Sequence, residues 1–429
     1  MDLRVHESRE DASLTLRFLD LFAGAGGLSE GFIQAGFEPI AHVEMDPAAV
    51  YTLKTRMAYH HLRKAGDLDP YIDYLRQKID RNAFYSKIPG RMIESVIHSE
   101  IGDETLPRIF ERIDSLLDGK QLDLIVGGPP CQAYSIVGRV RSPNGMVGDK
   151  RNYLYLYYAQ FLKRYNPEYF VFENVTGLLN AKDKDGIRYL EKMQSVFREN
   201  GYETQYRKLH AEKFGVPQLR TRIILVGKKT KIDFDYPMPS EVSETRKAWQ
   251  FLRDFPFLKA GSGDPWSCKL RDDSLGLLAH DNIRDHDIPV THFWSRPQCE
   301  QDLEIYGLVV DHWEQYKKRM QYGDLPAYLQ SHKNITDFAD RFKVVAKHEP
   351  SHTVVAHIAR DGHYYIHPEK RQNRSLSPRE AARLQTFPDN YHFESMLGTP
   401  SRTPAYRQIG NAVPVMLARK IAEKLLDVW

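Results

Sequence analysis

The stretch Asp123-Leu-Ile-Val-Gly-Gly-Pro-Pro-Cys-Gln132 restricts the fold more than any other part of the chain. Leu122 to Val126 is a short apolar run bounded by turn residues, the pattern of a strand covered on both faces. Gly127 and Gly128 free the backbone, while Pro129 and Pro130 fix φ and remove two N–H donors, so sheet pairing must stop there. A single thiol, Cys131, is thereby expected at the carboxyl end of a buried strand, where open α/β sheets place their ligands.

With 429 residues the chain has room for two or three domains and a substantial core. Its 41% hydrophobic and 27% charged residues are those of a globular protein and exclude a disordered or fibrous one. Three cysteines, Cys131, Cys268 and Cys299, are too few and too scattered for a disulfide framework or a paired-cysteine metal site, so a reducing, cytoplasmic setting is expected. Residues Met1 to Arg17 lack the apolar core of a signal peptide, and no apolar run approaches membrane-spanning length; no membrane association is expected. A formal net charge of +3 neither requires nor excludes nucleic acid, so any positive charge that binds it must be local.

Upstream, Leu16 to Phe22 reads as a strand, Ala23-Gly24-Ala25-Gly26-Gly27 as a turn, and Leu28 to Ala35 as a helix closed by Gly36. Strand, glycine turn and helix open a nucleotide-type binding unit, although Ser29 stands where the third glycine of the full dinucleotide fingerprint would be. Phe37 to Val43 forms a second strand ending at Glu44, with Asp46 as N-cap and Pro47 at the first helical position. An acid about twenty residues past the glycines is the usual partner of ribose hydroxyls. No phosphate-binding lysine accompanies the turn, which favours a phosphate-free adenosyl ligand.

Residues 59–91 look like a polar, helix-leaning insertion before a third strand at Ser95 to Ile101. Asp103, just beyond it, is placed to accept from an adenine amino group, with Asp67 as its rival. After Cys131 comes a loop carrying Gly138, Gly145 and Gly148, then a helix from Tyr153 to Tyr165 and a buried strand, Tyr169 to Phe172. Glu173 follows at that strand's end, on the same sheet edge as Cys131 if the sheet is parallel, either as an acid–base group or as a cap or ion-pair partner. A helix from Ile187 to Asn200, a strand from Tyr202 to His210 and another from Ile223 to Val226 complete the unit. Arg220 and Arg222, two apart before that last strand, are expected on one face, where they could hold an anion or a base carbonyl or merely line a solvated edge.

From about 229 to 375 regular alternation disappears, and this part is expected to be a second, smaller domain of irregular β-rich type. Ser377-Pro-Arg-Glu380 is a capping box, and Val415 to Val428 an amphipathic helix.

Six segments in this order, Phe22-Ala-Gly-Ala-Gly-Gly27, Gly128-Pro-Pro-Cys-Gln132, Glu173-Asn-Val175, Gln218-Leu-Arg-Thr-Arg222, Arg379-Glu-Ala-Ala-Arg-Leu-Gln385 with Phe387-Pro388, and Gly410-Asn-Ala-Val-Pro414, resemble the ordered motifs of the DNA cytosine-5 methyltransferases. The resemblance covers nearly all the chain except 1–16, 59–91 and about 230–375. It implies a doubly wound, mostly parallel Rossmann-like α/β catalytic domain over 1–228 (with an arm at 1–16), a target-recognition domain over 229–395, and a segment, 396–429, that returns to the catalytic domain.

The same resemblance implies S-adenosylmethionine as cofactor and a flipped cytosine of double-stranded DNA as substrate. Cys131 resembles the nucleophile that adds to C6, Glu173 the carboxyl that bonds N3 and the amino group, and Arg220 and Arg222 the residues that hold the base carbonyl and the carboxylate. Phe22, Gly24, Gly26, Gly27, Glu44, Asp103, Pro129 and Asn411 match cofactor-site positions: Phe22 on the adenine face, the glycine turn beside the methionine part, Glu44 on the ribose, Asp103 on the adenine amino group. The loop after Cys131 is expected to close on the flipped base. The compact chain resembles bacterial modification enzymes, which implies a monomer at work on the nucleoid and a separate cognate restriction endonuclease. A tRNA-modifying branch of the family carries a Cys-Phe-Thr signature that is missing here. A binding-only relative would have no use for Cys131, Glu173 and both arginines together.

Overall fold

The computed structural model describes residues 15–130, 150–272, 276–285, 287–331 and 339–429. Cys131 and the loop after it, as far as residue 149, lie outside the described residues.

The chain builds a seven-stranded sheet from β1 (Arg17–Leu21), β2 (Glu38–Glu44), β3 (Val96–His98), β4 (Leu124–Gly127), β5 (Tyr169–Asn174), β6 (Tyr202–His210) and β7 (Thr221–Lys229), in the order β3-β2-β1-β4-β5-β7-β6. All neighbours pair in parallel except β7, which runs antiparallel to both β5 and β6. Strand order reverses between β1 and β4, and ligands of open α/β sheets bind in the crevice at such a point.

Helices α1 (Gly27–Gln34), α2 (Pro47–Ala65), α3 (Leu106–Leu117), α4 (Leu154–Tyr165) and α5 (Tyr189–Glu199) lie between the strands. One sheet face packs on α3, α4 and α5 through residues such as Ile113, Phe161 and Phe197; the other packs on α1 and a carboxyl-terminal helix through Phe32, Leu417 and Ile421. Both faces are therefore covered, which is why the central strands read as unbroken apolar runs.

The expected insertion is helical: α2 runs on to Ala65, and short helices follow at Asp69–Leu75, Arg81–Tyr85 and Gly90–Glu94. Tyr71, Tyr74 and Phe84 bury against one another and against Ile288 of the region beyond the sheet, so this segment braces two parts of the molecule.

Between 229 and 375 the expectation of a β-rich domain needs correction. Among the described residues here the strands are two residues long, Gly263–Asp264 with Phe293–Trp294 and Ser351–His352 with Gln218–Leu219, while the longest element is α6 (Glu300–Tyr316). Irregular backbone still has to satisfy its carbonyls. Buried arginines do much of this: Arg379 donates to Thr291 O at 2.8 Å, Arg374 to Leu258 O at 3.1 Å and Arg383 to Phe251 O at 3.1 Å. Guanidinium forks stand in for ladder partners.

The chain then returns through α7 (Pro378–Leu384), α8 (Arg402–Asn411) and α9 (Val415–Asp427). Ser377 caps α7 in the expected reciprocal arrangement with Glu380. Contacts to the sheet and its helices begin upstream of the expected residue 396, because Asn390 accepts from Arg56 and Tyr391 reaches Ala25. No helix among the described residues is long and apolar enough to cross a membrane.

Candidate active site

Parallel β4 and β5 end at the same edge of the sheet, with Gly127 in register with Phe172. Antiparallel β7 begins at that edge, where Glu173 is paired with Ile224 and Asn174 with Ile223. The reversal places Arg222, at the start of β7, beside Glu173, at the end of β5. Arg222 Nε meets Glu173 Oε1 at 2.7 Å, with the two side chains only 14% and 13% exposed. Partial withdrawal from water strengthens their attraction over that of a surface pair.

Glu173 also lies against the turn after β4. A methyl group on Gly128 would stand 2.6 Å from Glu173 Oε2, so only glycine lets the carboxylate come this close. The neighbouring Asn174 Nδ2 reaches Pro129 O at 3.5 Å. Carboxylate, guanidinium and the turn that leads into position 131 thus share one corner of the sheet edge.

Arg220 does not join them. It is 2% exposed, and its guanidinium donates to Val354 O at 2.7 Å, Gly410 O at 3.3 Å and Ala412 O at 2.9 Å. The expectation of two arginines working side by side is corrected by this: Arg220 fastens the returning segment to the start of β7, and Arg222 alone faces Glu173.

Around the glycine turn, Phe22 is half-buried with a left-handed φ of 58°, uncommon for a side chain and a mark of a constrained turn. Gly24 has φ of 55° and open space where a Cβ would be. Glu44 carries the turn from below: its Oε2 accepts from Gly24 N at 2.7 Å and its Oε1 from Met45 N at 2.9 Å and Asp46 N at 2.7 Å. Burial pushes this carboxyl's pKa up, with the backbone N–H donors pulling the other way.

Asp20, on β1, was not anticipated from the sequence. It is 1% exposed, and neither carboxyl oxygen has a hydrogen-bond partner among the described residues; burial and the nearby Glu44 raise its pKa. Its signal was available as an acid inside an otherwise apolar strand. Gly26 and Gly27 do a different job from Gly24. A Cβ on Gly27 would lie 2.3 Å from Val413 O and one on Gly26 2.9 Å from the Tyr391 hydroxyl, so both admit the returning segment. Asn411, one residue before Ala412, is exposed at the end of α8. Pro129 is buried beside Asn174.

The two acids expected at adenine have surroundings of their own. Strand β3 stops at His98, three residues short of the expected end, and Asp103 is four residues past Ser99. Its carboxylate takes the hydroxyl of Tyr157 on α4, which raises that phenol's pKa. Asp67 follows the whole of α2, roughly 28 Å from its start at 1.5 Å per residue. Glu100 is closer to the turn: Ser99 N donates to Glu44 O at 3.0 Å, and the exposed Glu100 comes next.

An open left-handed glycine, an acid that still has acceptor capacity and a buried unpartnered carboxyl fit an adenosyl cofactor with a cationic end.

Comparisons with known proteins show the family. The chain is 38% identical to the Type II methyltransferase M.Bpa9945I of Bacillus paralicheniformis, over 96% of this chain and 98% of that protein. It is 27% identical to the Type II methyltransferase M1.HphI of Haemophilus parahaemolyticus, over 97% and 88%. In fold it is similar to a prophage-encoded E. coli protein described as a DNA modification methyltransferase, at a TM-score of 0.58 and 21% identity over 96% of this chain and 99% of that one. Residues 16–80 and 97–427 match the family model of the C-5 cytosine-specific DNA methylases, and the chain belongs to that family.

Proposed function

We propose that Cys131, Glu173 and Arg222 methylate C5 of a cytosine turned out of duplex DNA, with the glycine turn, Glu44, Asp20, Glu100 and Asn411 holding S-adenosylmethionine. The observation that carries this reading is the 2.7 Å contact of Arg222 with Glu173 against the turn that leads into position 131.

In this reading the Cys131 thiolate forms a bond to C6, and the ring electrons gather toward C5. Glu173 hydrogen-bonds N3 and the exocyclic amino group, while Arg222 steadies the carboxylate and the ring carbonyl, so developing charge meets groups already in place. When bound, S-adenosylmethionine supplies an electrophilic methyl group. Loss of the C5 proton to a base and expulsion of the thiolate then restore the C5–C6 double bond. Opening the duplex costs a few kcal/mol, which contacts from the recognition region, about 229–375, must offset.

Glu44 spends three of its roughly four acceptor positions on backbone amides, which leaves one for a ribose hydroxyl. Glu100 takes the adenine amino group in place of Asp103. Glu100→Gln is expected to weaken cofactor binding by about tenfold, as loss of one charge-assisted hydrogen bond does, with Asp103→Asn unchanged; calorimetric titration of both variants checks it. The likeness to Type II methyltransferases supports a separate restriction endonuclease of the same sequence specificity. A monomer suits the assignment of every proposed site residue to one chain.

A duplex carrying 5-fluorocytosine at the target position tests the chemistry, because fluorine at C5 cannot leave as a proton does. The protein with cofactor is expected to form a denaturation-resistant adduct, and Cys131→Ser none. An unmodified protein that methylates duplex DNA yet leaves no adduct would overturn the covalent route.

A further inference from the structure

Tyr391 touches the glycine turn from the far end of the chain. Its buried hydroxyl donates to Ala25 O at 2.5 Å, across 366 residues of sequence. Ala25 lies between Gly24 and Gly26, whose left-handed φ values of 55° and 77° are ones that glycine adopts without strain. The hydrogen bond tethers the middle peptide of the turn, between Gly24 N, which donates to Glu44 Oε2 at 2.7 Å, and Gly26 N, which donates to Ala23 O at 2.9 Å.

The ring that carries this hydroxyl is itself held. Phe387 and Phe393 pack on it with centroids 4.8 and 5.3 Å away, and the Arg56 guanidinium stands 4.6 Å from its centre. Arg56 donates to Glu30, in the first turn of α1, at 2.8 and 2.6 Å and to Asn390 Oδ1 at 2.8 Å. A closed circuit results, from α1 to α2 to the returning segment and back to the turn in front of α1. Burial drives the Tyr391 phenol's pKa well above its ordinary value, so the hydroxyl keeps its proton and remains a donor.

We propose that Tyr391 is a positioning residue for the cofactor: its hydroxyl holds the Ala25 peptide so that Gly24 and the amino end of α1 meet S-adenosylmethionine in one shape. This rests on the cofactor site proposed above. Released from the tether, the turn populates its binding-competent form less often, and apparent affinity falls by that fraction.

The test is calorimetric titration of S-adenosylhomocysteine into the full chain, beside two variants. Tyr391→Phe removes only the hydroxyl and is expected to weaken binding by about five- to tenfold, the size of one buried hydrogen bond. KM for S-adenosylmethionine should rise in step, with kcat changing less. Tyr74→Phe removes another buried hydroxyl, bonded at 2.7 Å to Glu394 in the same assembly but away from the turn, and should leave cofactor affinity alone. Unchanged affinity in Tyr391→Phe, or an equal loss in both variants, would overturn the inference. An unmodified protein that binds no cofactor would instead overturn the site assignment on which it rests.

Discussion

Glu173→Gln is expected to lower kcat by about 10²- to 10³-fold with cofactor affinity within about twofold, the pattern of a group whose interaction strengthens in the transition state. Glutamine has nearly the same shape, so the close approach to Gly128 survives. What disappears is the negative charge opposite Arg222 and the carboxyl's capacity to share a proton with the ring nitrogen as electrons flow in. Arg222, left beside a neutral amide at one edge of the sheet, would also be free to turn away from the base. Single-turnover methylation separates this from a binding defect. A kcat within a factor of about three of the parent's would remove Glu173 from the chemistry, since a stabilising contact of this kind contributes far more than that.

The corner that holds Glu173 was legible because its causes are local. Glycines, prolines and an apolar run say where β4 must stop, and a second apolar run ending in Glu173 says the same of β5. Parallel pairing then brings the two ends together without further information. Asp46 as N-cap, the Ser377 capping box and the strand from Tyr202 to His210 were legible for the same reason.

The misreadings share the opposite cause. Asp103 followed from a strand assumed to run to Ile101, whereas β3 leaves the sheet after His98, so the acid nearest the strand end is Glu100. Asp67 was displaced because α2 continues to Ala65 before it turns. The region from 229 to 375 read as β-rich once regular alternation disappeared, because periodicity does not register arginines that satisfy the backbone from another segment. Asp20 did give a local signal, an acid inside an apolar strand, that went unread; Tyr391 gave none, because a tyrosine among aromatics acquires meaning only when the returning segment closes on the glycine turn.

Arg220→Ala should act on stability where Arg222→Ala acts on turnover, and comparing the two decides which arginine belongs to the chemistry. Spacing of two residues does put both on one side of an extended chain, but their surroundings differ. Val354, Gly410 and Ala412 arrive over Arg220 from 134 to 192 residues away and offer it their carbonyls. Val354 is fixed in turn, its N–H donating to Gln218 Oε1 at 2.7 Å. Truncating Arg220 takes a donor from all three in the seam between β7 and the returning segment, and among the described residues only Ala412 O keeps another, Gln385 Nε2 at 3.2 Å. A cost of about 3 to 5 kcal/mol is expected, from buried carbonyls left unsatisfied together with the cavity left by a large buried side chain. Lysine would not rescue it, because one ammonium cannot reproduce a planar fork that reaches carbonyls on two segments. Arg222→Ala, which removes the partner of one half-buried carboxylate, should cost less, about 1 to 2 kcal/mol in stability. Its loss should instead appear in the rate of adduct formation on the fluorinated duplex. Thermal unfolding and trapping rates measured on both variants check this pairing, and an Arg220→Ala protein as stable as the parent but unable to form the adduct would return Arg220 to the reacting base.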